Sequence, residues 1–127
     1  MSAASTAAEL RRLLAVEFER PGTRARLERL APFVLVELED EEGPGGLLEE
    51  VLDVEPGLER RARRLRRAHR RIRGSLQRLL ELLDLHPARD RAVQLERRRL
   101  TRLLDENHHT EARLLQEALY RENGGEG

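Results

Sequence analysis

The chain has 127 residues with 24 basic and 24 acidic side chains, so its net charge is zero and no global field draws it to a partner of one sign. There is no cysteine, which excludes disulfides, thiolate metal sites and cysteine nucleophiles. Aromatic residues are 2% and β-branched ones few, so a β-sandwich or barrel is excluded too; Leu, Ala, Glu and Arg dominate, as in long helices.

Segment A spans about Ser5 to Glu19, with Leu10, Leu13, Leu14 and Phe18 at amphipathic helical spacing. Arg20-Pro21-Gly22-Thr23 ends it. Segment B starts at Thr23, and Leu27, Leu30, Ala31, Val34 and Leu38 form its apolar stripe. Pro32 inside it predicts a kink or a restart. Gly43-Pro44-Gly45-Gly46 interrupts B, and Leu47 to Leu52 is amphipathic again. Glu55-Pro56-Gly57 closes it, with Pro56 suited to the first turn of the next helix.

Segment C carries Leu58, Ala62, Leu65, His69, Ile72, Leu76, Leu79 and Leu83 in unbroken steps of three and four. It ends at Leu85-His86-Pro87. Segment D starts at Asp90, a suitable N-cap, and Val93, Leu100, Leu104, Leu114, Leu115 and Ala118 mark its inner face. Asn123-Gly124-Gly125 is a helix stop, which leaves residues 123–127 as a flexible tail. Four amphipathic segments with short connections predict an all-α fold, an antiparallel up-down four-helix bundle forming one domain over 1–127, ordered from about 5 to 122.

The charges sort by segment. Nine acidic residues and no basic one lie between Glu37 and Glu55; nine arginines and no acidic residue lie between Arg60 and Arg73. As antiparallel neighbours, B and C are expected to set these blocks face to face. On that expectation, with aromatic side chains missing from the basic stretch, nucleic acid is not an expected partner. The first residues lack the basic and apolar parts of a signal peptide, and no stretch approaches the ~20 apolar residues of a membrane span. The expectation is a cytoplasmic protein with no membrane contact. No glycine loop is followed by the lysine of a phosphate site, and Ser2, Ser5 and Ser75 have no nucleophile-elbow motif, so a non-enzyme is expected.

Polar residues interrupt the apolar seams at a few places. His69 sits between Leu65 and Ile72. Glu111 falls on the stripe of Leu104, Leu114 and Ala118, and His108 shares that face with Asn107 at its border. Glu37 and Glu41 lie one turn apart near the stripe of Leu30, Val34 and Leu38. With reversals at Glu55 and Pro87, Glu41 and His69 stand 14 residues to either side of the first. His69 lies 18 residues before the second, with His108 21 and Glu111 24 after it. The His69–His108 mismatch is ~4–5 Å, which side chains can span. Glu41, His69, His108 and Glu111, with Glu37 as a fifth, are therefore candidate metal ligands in one inward layer, since a buried charge must be paired or metal-bound. A metal-free Glu–His or Glu–Arg pair satisfies the same layer.

At these residues the chain resembles the hemerythrin-like family. Glu37-Leu-Glu-Asp-Glu41-Glu42 resembles the end of that family's second helix, Leu65-Arg-Arg-Ala-His69-Arg-Arg-Ile72 the third, and Leu104-Asp-Glu-Asn-His108-His-Thr-Glu111 the fourth. The resemblance covers about Glu37 to Gly127 and implies non-heme iron held in the bundle core for oxygen or redox sensing, or for storage. The family's di-iron centre uses five histidines and two carboxylates, whereas this chain has four histidines in all and Glu37 where a histidine is expected. It resembles a divergent member with an incomplete site. The other reading is a metal-free bundle that works by contact with a protein partner or as a homodimer.

Overall fold

Leucine and arginine at helical spacing produce helix almost everywhere in the computed structural model, which describes residues 3–122. The elements are α1 (Ala3–Arg12), α2 (Thr23–Glu42), α3 (Leu47–Val54), α4 (Glu59–Leu85) and α5 (Arg91–Glu122), and no strand occurs among the described residues. Residues 123–127, expected as a tail, lie outside them. No described helix is long and apolar enough to cross a membrane.

Several boundaries follow from the expected local chemistry. The Asp90 carboxylate accepts the Ala92 N–H at 3.0 Å and caps α5. Pro56 opens a short 3₁₀ turn (Pro56–Leu58) that leads into α4, and Glu55 caps it by accepting the Gly57 N–H at 2.9 Å. Gly22, at φ 82°, makes the tight turn before α2. A side chain at Gly46 would put its Cβ 1.9 Å from the Asp40 carbonyl oxygen, so only glycine lets α3 turn back against the end of α2.

Two local expectations need correction. Pro32 does not restart its helix: α2 runs unbroken from Thr23 to Glu42. Pro32 lies on the exposed side, where water can satisfy the carbonyl that loses its N–H partner. Segment A is not plain α-helix either, since α1 continues as a π-helical stretch over Leu13–Glu17. Arg97 of α5 stabilises it by donating to the Leu14 carbonyl at 2.7 Å, and its guanidinium lies 5.3 Å from the Phe18 ring centroid. Gln94 holds Arg97 in place through its side-chain oxygen, at 3.0 and 2.7 Å.

Partners on neighbouring helices fall in number on one as they rise on the other. Arg61 reaches Glu117, His69 reaches Glu111, and Ser75 reaches Glu96. Likewise Arg24 of α2 pairs with Asp84 of α4, while Glu41 meets His69. The core is divided into two clusters. One joins α1, the π stretch and α2 to Ile72, Leu76 and Leu79 of α4 and to Val93, Leu100, Leu103 and Leu104 of α5. The other joins Leu48 and Val51 of α3 to Leu58, Ala62, Leu65, Leu114 and Ala118. His69, Asn107 and Glu111 lie between them in sequence on α4 and α5. Leu115, read from the sequence as inner-facing, is 42% exposed.

The blocks of opposite charge do not pair as expected. Arg61 reaches α5 and Arg63 pairs with Glu59 one turn back on its own helix, at 3.3 Å. Glu41 and Glu42 turn to His69 instead. The reason is geometric: the arginines of α4 sit mainly on the side opposite Ala62, Leu65 and His69, which face the interior.

Arg97→Leu is expected to destabilise the protein by about 1–3 kcal/mol, because the buried Leu14 carbonyl loses a charged donor. The exposed neighbour change Arg98→Leu should stay within about 0.5 kcal/mol. Urea denaturation of both variants checks this, and equal effects would remove Arg97 as the support of the π stretch.

Candidate metal centre

Three helices bring one imidazole and three carboxylates together. The last turn of α2 supplies Glu41 and Glu42, which lie three and four residues beyond buried Leu38 and so continue its stripe. α4 supplies His69, fully buried at 0% exposure. α5 supplies Glu111, whose Oε1 accepts from Asn107 Nδ2 at 3.1 Å.

The two imidazole nitrogens have different surroundings. Nδ1 lies 3.1 Å from Glu42 Oε2 in hydrogen-bonding geometry, and because an ionised carboxylate only accepts, Nδ1–H is the donor. Nε2 lies 3.1 Å from Glu41 Oε2 and 3.6 Å from Glu111 Oε1. Yet both Nε2 and Glu41 Oε2 are buried without a hydrogen-bond partner, because the ring N–H direction misses the nearby oxygen. They are near enough to interact by charge and badly aligned for sharing a proton.

Burial and mutual charge set the protonation states. Burial raises the Glu41 carboxyl to about 7, helped by Glu111 and opposed by His69. For His69, burial alone would lower the value; Glu111, Glu41 and Glu42 together outweigh it and raise it to about 9. Burial also pushes Glu111 up, but His69, Glu41 and Asn107 more than reverse this and leave it lowered. At neutral pH without metal, these directions give an imidazolium beside the Glu111 carboxylate and a Glu41 carboxyl poised between its two forms.

The other sequence candidates, Glu37 and His108, line the groove beside this group without belonging to its close triad. Glu37 is half-buried on α2; burial raises its pKa, a hydrogen bond with Thr6 lowers it, and nearby Glu111 raises it. It lines the mouth of the site and is not one of the three residues whose ligand atoms lie within 4.8 Å of one another, Glu41, His69 and Glu111. His108 is exposed on the same groove, beside His109 with ring centroids 6.1 Å apart, and is likewise not one of those three residues. Sequence reasoning passes over Glu42 as a partner of His69, although its spacing from Leu38 carries the signal. It also passes over Ser75 and Glu96, a second buried polar pair. Ser75 Oγ donates to Glu96 Oε2 at 2.6 Å, and Arg78 Nε lies 3.2 Å from Glu96 Oε1. Each stands three residues after a buried apolar position, Ile72 and Val93.

The three ligand atoms lie within 4.8 Å of one another, close enough to be offered to one ion. For bonds of about 2.1 Å, a tetrahedral edge is about 3.4 Å. The distances of 3.1 and 3.6 Å from Nε2 to the two carboxylates bracket that edge. A groove of about 560 Å³ reaches the group from the side of α1, lined in part by Ala7, Ala8, Leu38, Leu104 and Leu115. Set against known proteins, the chain matches no protein-family model, no curated protein and no solved structure.

The protonation states make metal-free stability depend on pH. His69 holds its proton more tightly when folded, so its contribution is complete below its ordinary 6.5 and is lost as pH rises through about 9. Glu41 acts in the same direction earlier, complete below 4.5 and lost as pH rises through about 7. Lowered Glu111 acts in the opposite direction, its contribution being lost only in acid. Urea midpoints in chelator should therefore fall between pH 4.5 and 7 through Glu41 and between pH 6.5 and 9 through His69, and Glu41→Gln should flatten the lower window and His69→Gln the upper one. A flat wild-type profile would show that the carboxylates do not hold the imidazole proton.

Proposed function

We propose that the protein is an up-down antiparallel four-helix bundle, with α2 and α3 sharing one rod, that binds one divalent first-row transition-metal ion through Glu41, His69 and Glu111. The observation that supports this most strongly is the buried Nε2 facing two carboxylate oxygens while Glu42 occupies Nδ1. A carboxylate on the far nitrogen is the usual partner of a metal-bound histidine, since it fixes the tautomer and strengthens the ligand. One nitrogen and two oxygens suit iron, manganese or zinc, and thiolate-loving ions have no ligand in a chain without cysteine.

The resemblance to hemerythrin-like proteins favours non-heme iron and a role in oxygen or redox sensing or storage. Three protein ligands leave coordination positions free toward the groove, which such a role requires. A single buried histidine supports one ion in place of a di-iron pair. A second reading, a metal-free bundle that works by protein contact, rests on Phe33 and Val36. These lie three residues apart on α2 and are 63% and 53% exposed.

Metal titration separates the readings. Stripped protein given Co(II), Fe(II), Mn(II) or Zn(II) should bind one equivalent, and at about 100 times Kd the ion should stabilise the fold by about 2.7 kcal/mol. Cobalt should give visible d–d absorption. His69→Gln and Glu111→Gln should weaken binding more than about tenfold, Glu42→Gln by about tenfold, and His108→Ala should have no effect. No saturable binding of any of the four ions would leave the metal-free reading.

A further inference from the structure

Chain order sets the arginine block of α4 against the acidic block, and the fold removes that neutralisation. Arg60, Arg63, Arg64, Arg67, Arg70 and Arg71 are all exposed. Arg60, Arg64, Arg67 and Arg71 recur at steps of three and four, so they form one line along the helix about 16 Å long. Two hollows adjoin this line. One, of about 510 Å³, is lined by Gly57, Arg60, Arg61, Arg63 and Arg64. The other, of about 200 Å³, lies between α4 and α5 among Arg61, Arg64, Thr110, Arg113 and Leu114. Arg61 is engaged by Glu117 and Arg63 by Glu59, so the line itself is carried by the others.

We infer that this face binds the phosphate backbone of a nucleic-acid duplex without reading its sequence. Guanidinium groups hold phosphate oxygens in pairs, and a row of them matches a row of phosphates better than it matches one small anion. The protein's aromatic residues, Phe18, Phe33 and Tyr120, all lie outside α4, so nothing there stacks on unpaired bases. An anionic membrane is a poorer occupant. Exposed positions from Glu59 to Arg71 are all charged, and a helix lying on lipid needs apolar side chains to insert. A second copy offering its acidic residues is poorer too. Exposed Glu39, Asp40, Glu49, Glu50 and Asp53 are split between the end of α2 and the short α3, which is a patch and not a line. The neutral total charge conceals this surface because equal numbers of acids lie elsewhere.

The test is fluorescence anisotropy of the full chain with a labelled DNA duplex of arbitrary sequence. Four engaged phosphates would give a salt slope of about −3.6, or about a hundredfold loss of affinity from 50 to 200 mM salt. Arg60→Gln/Arg64→Gln should weaken binding more than about fivefold and flatten the slope by about two. Arg89→Gln/Arg91→Gln, which removes the same charge at exposed positions beside the α4–α5 turn, should change affinity less than about twofold. Matching melting temperatures of the two variants show that both are folded. Absent binding at low salt, equal effects of the two variants, or tighter binding to single strands than to duplex would each overturn the proposal. So would binding to anionic vesicles in place of DNA, or self-association that Arg60→Gln/Arg64→Gln abolishes.

Discussion

The arrangement of this protein depends on one imidazole placed where a leucine would otherwise continue the seam. His69 is fully buried, and a buried group that can carry charge must be compensated on every side. That requirement draws Glu41 and Glu42 from one helix and Glu111 from another, and Asn107 in turn steadies Glu111. The energetic balance of such a cluster is narrow. Desolvating the ions costs several kcal/mol each, and their attraction offsets this only when the geometry is good. Nε2 and Glu41 Oε2 are close without being hydrogen-bonded, so part of that offset is missing without a cation. The proposed metal ion would take up these two atoms.

Much of this is legible in the sequence, for physical reasons that can be named. Segments with unbroken three-and-four spacing form helices at nearly the expected ends, and Asp90 and Pro56 act as their chemistry suggests. Counting residues from the two reversals sets Glu41 level with His69, because helical rise is nearly constant, but it leaves Glu111 six residues, ~9 Å, out of level, and only its place on the α5 stripe points to it. Rotation about a helix axis is less legible than height. His108 and Glu111 are separated by three residues, yet the boundary of the buried face passes between them. Glu42 escapes notice for the same reason. Choosing Glu37 as the partner of Glu41 places weight on one edge of the α2 stripe, while His69 is met from the other.

The π stretch shows a different limit. Nothing local in Leu13–Glu17 distinguishes it from ordinary helix; its support comes from Arg97, which lies 83 positions from Leu14 in the chain. Charge blocks are a third case. Their order along the chain suggests pairing between neighbours, but side-chain direction decides pairing, and the arginines of α4 point mainly away from the interior. Overall neutrality and strong local polarity therefore coexist in one small molecule.

The divided core has a mechanical consequence. α1 and α2 feed one apolar cluster, α3 feeds the other, and only α4 and α5 contribute to both. Those two long helices act as a shared axle, and the short α3 is a cap seated on one end of it. A cap with only Leu48 and Val51 buried can lift while the far end stays locked. Such a partial opening would loosen the chain just after Glu42 while the cluster at the far end keeps the long helices paired.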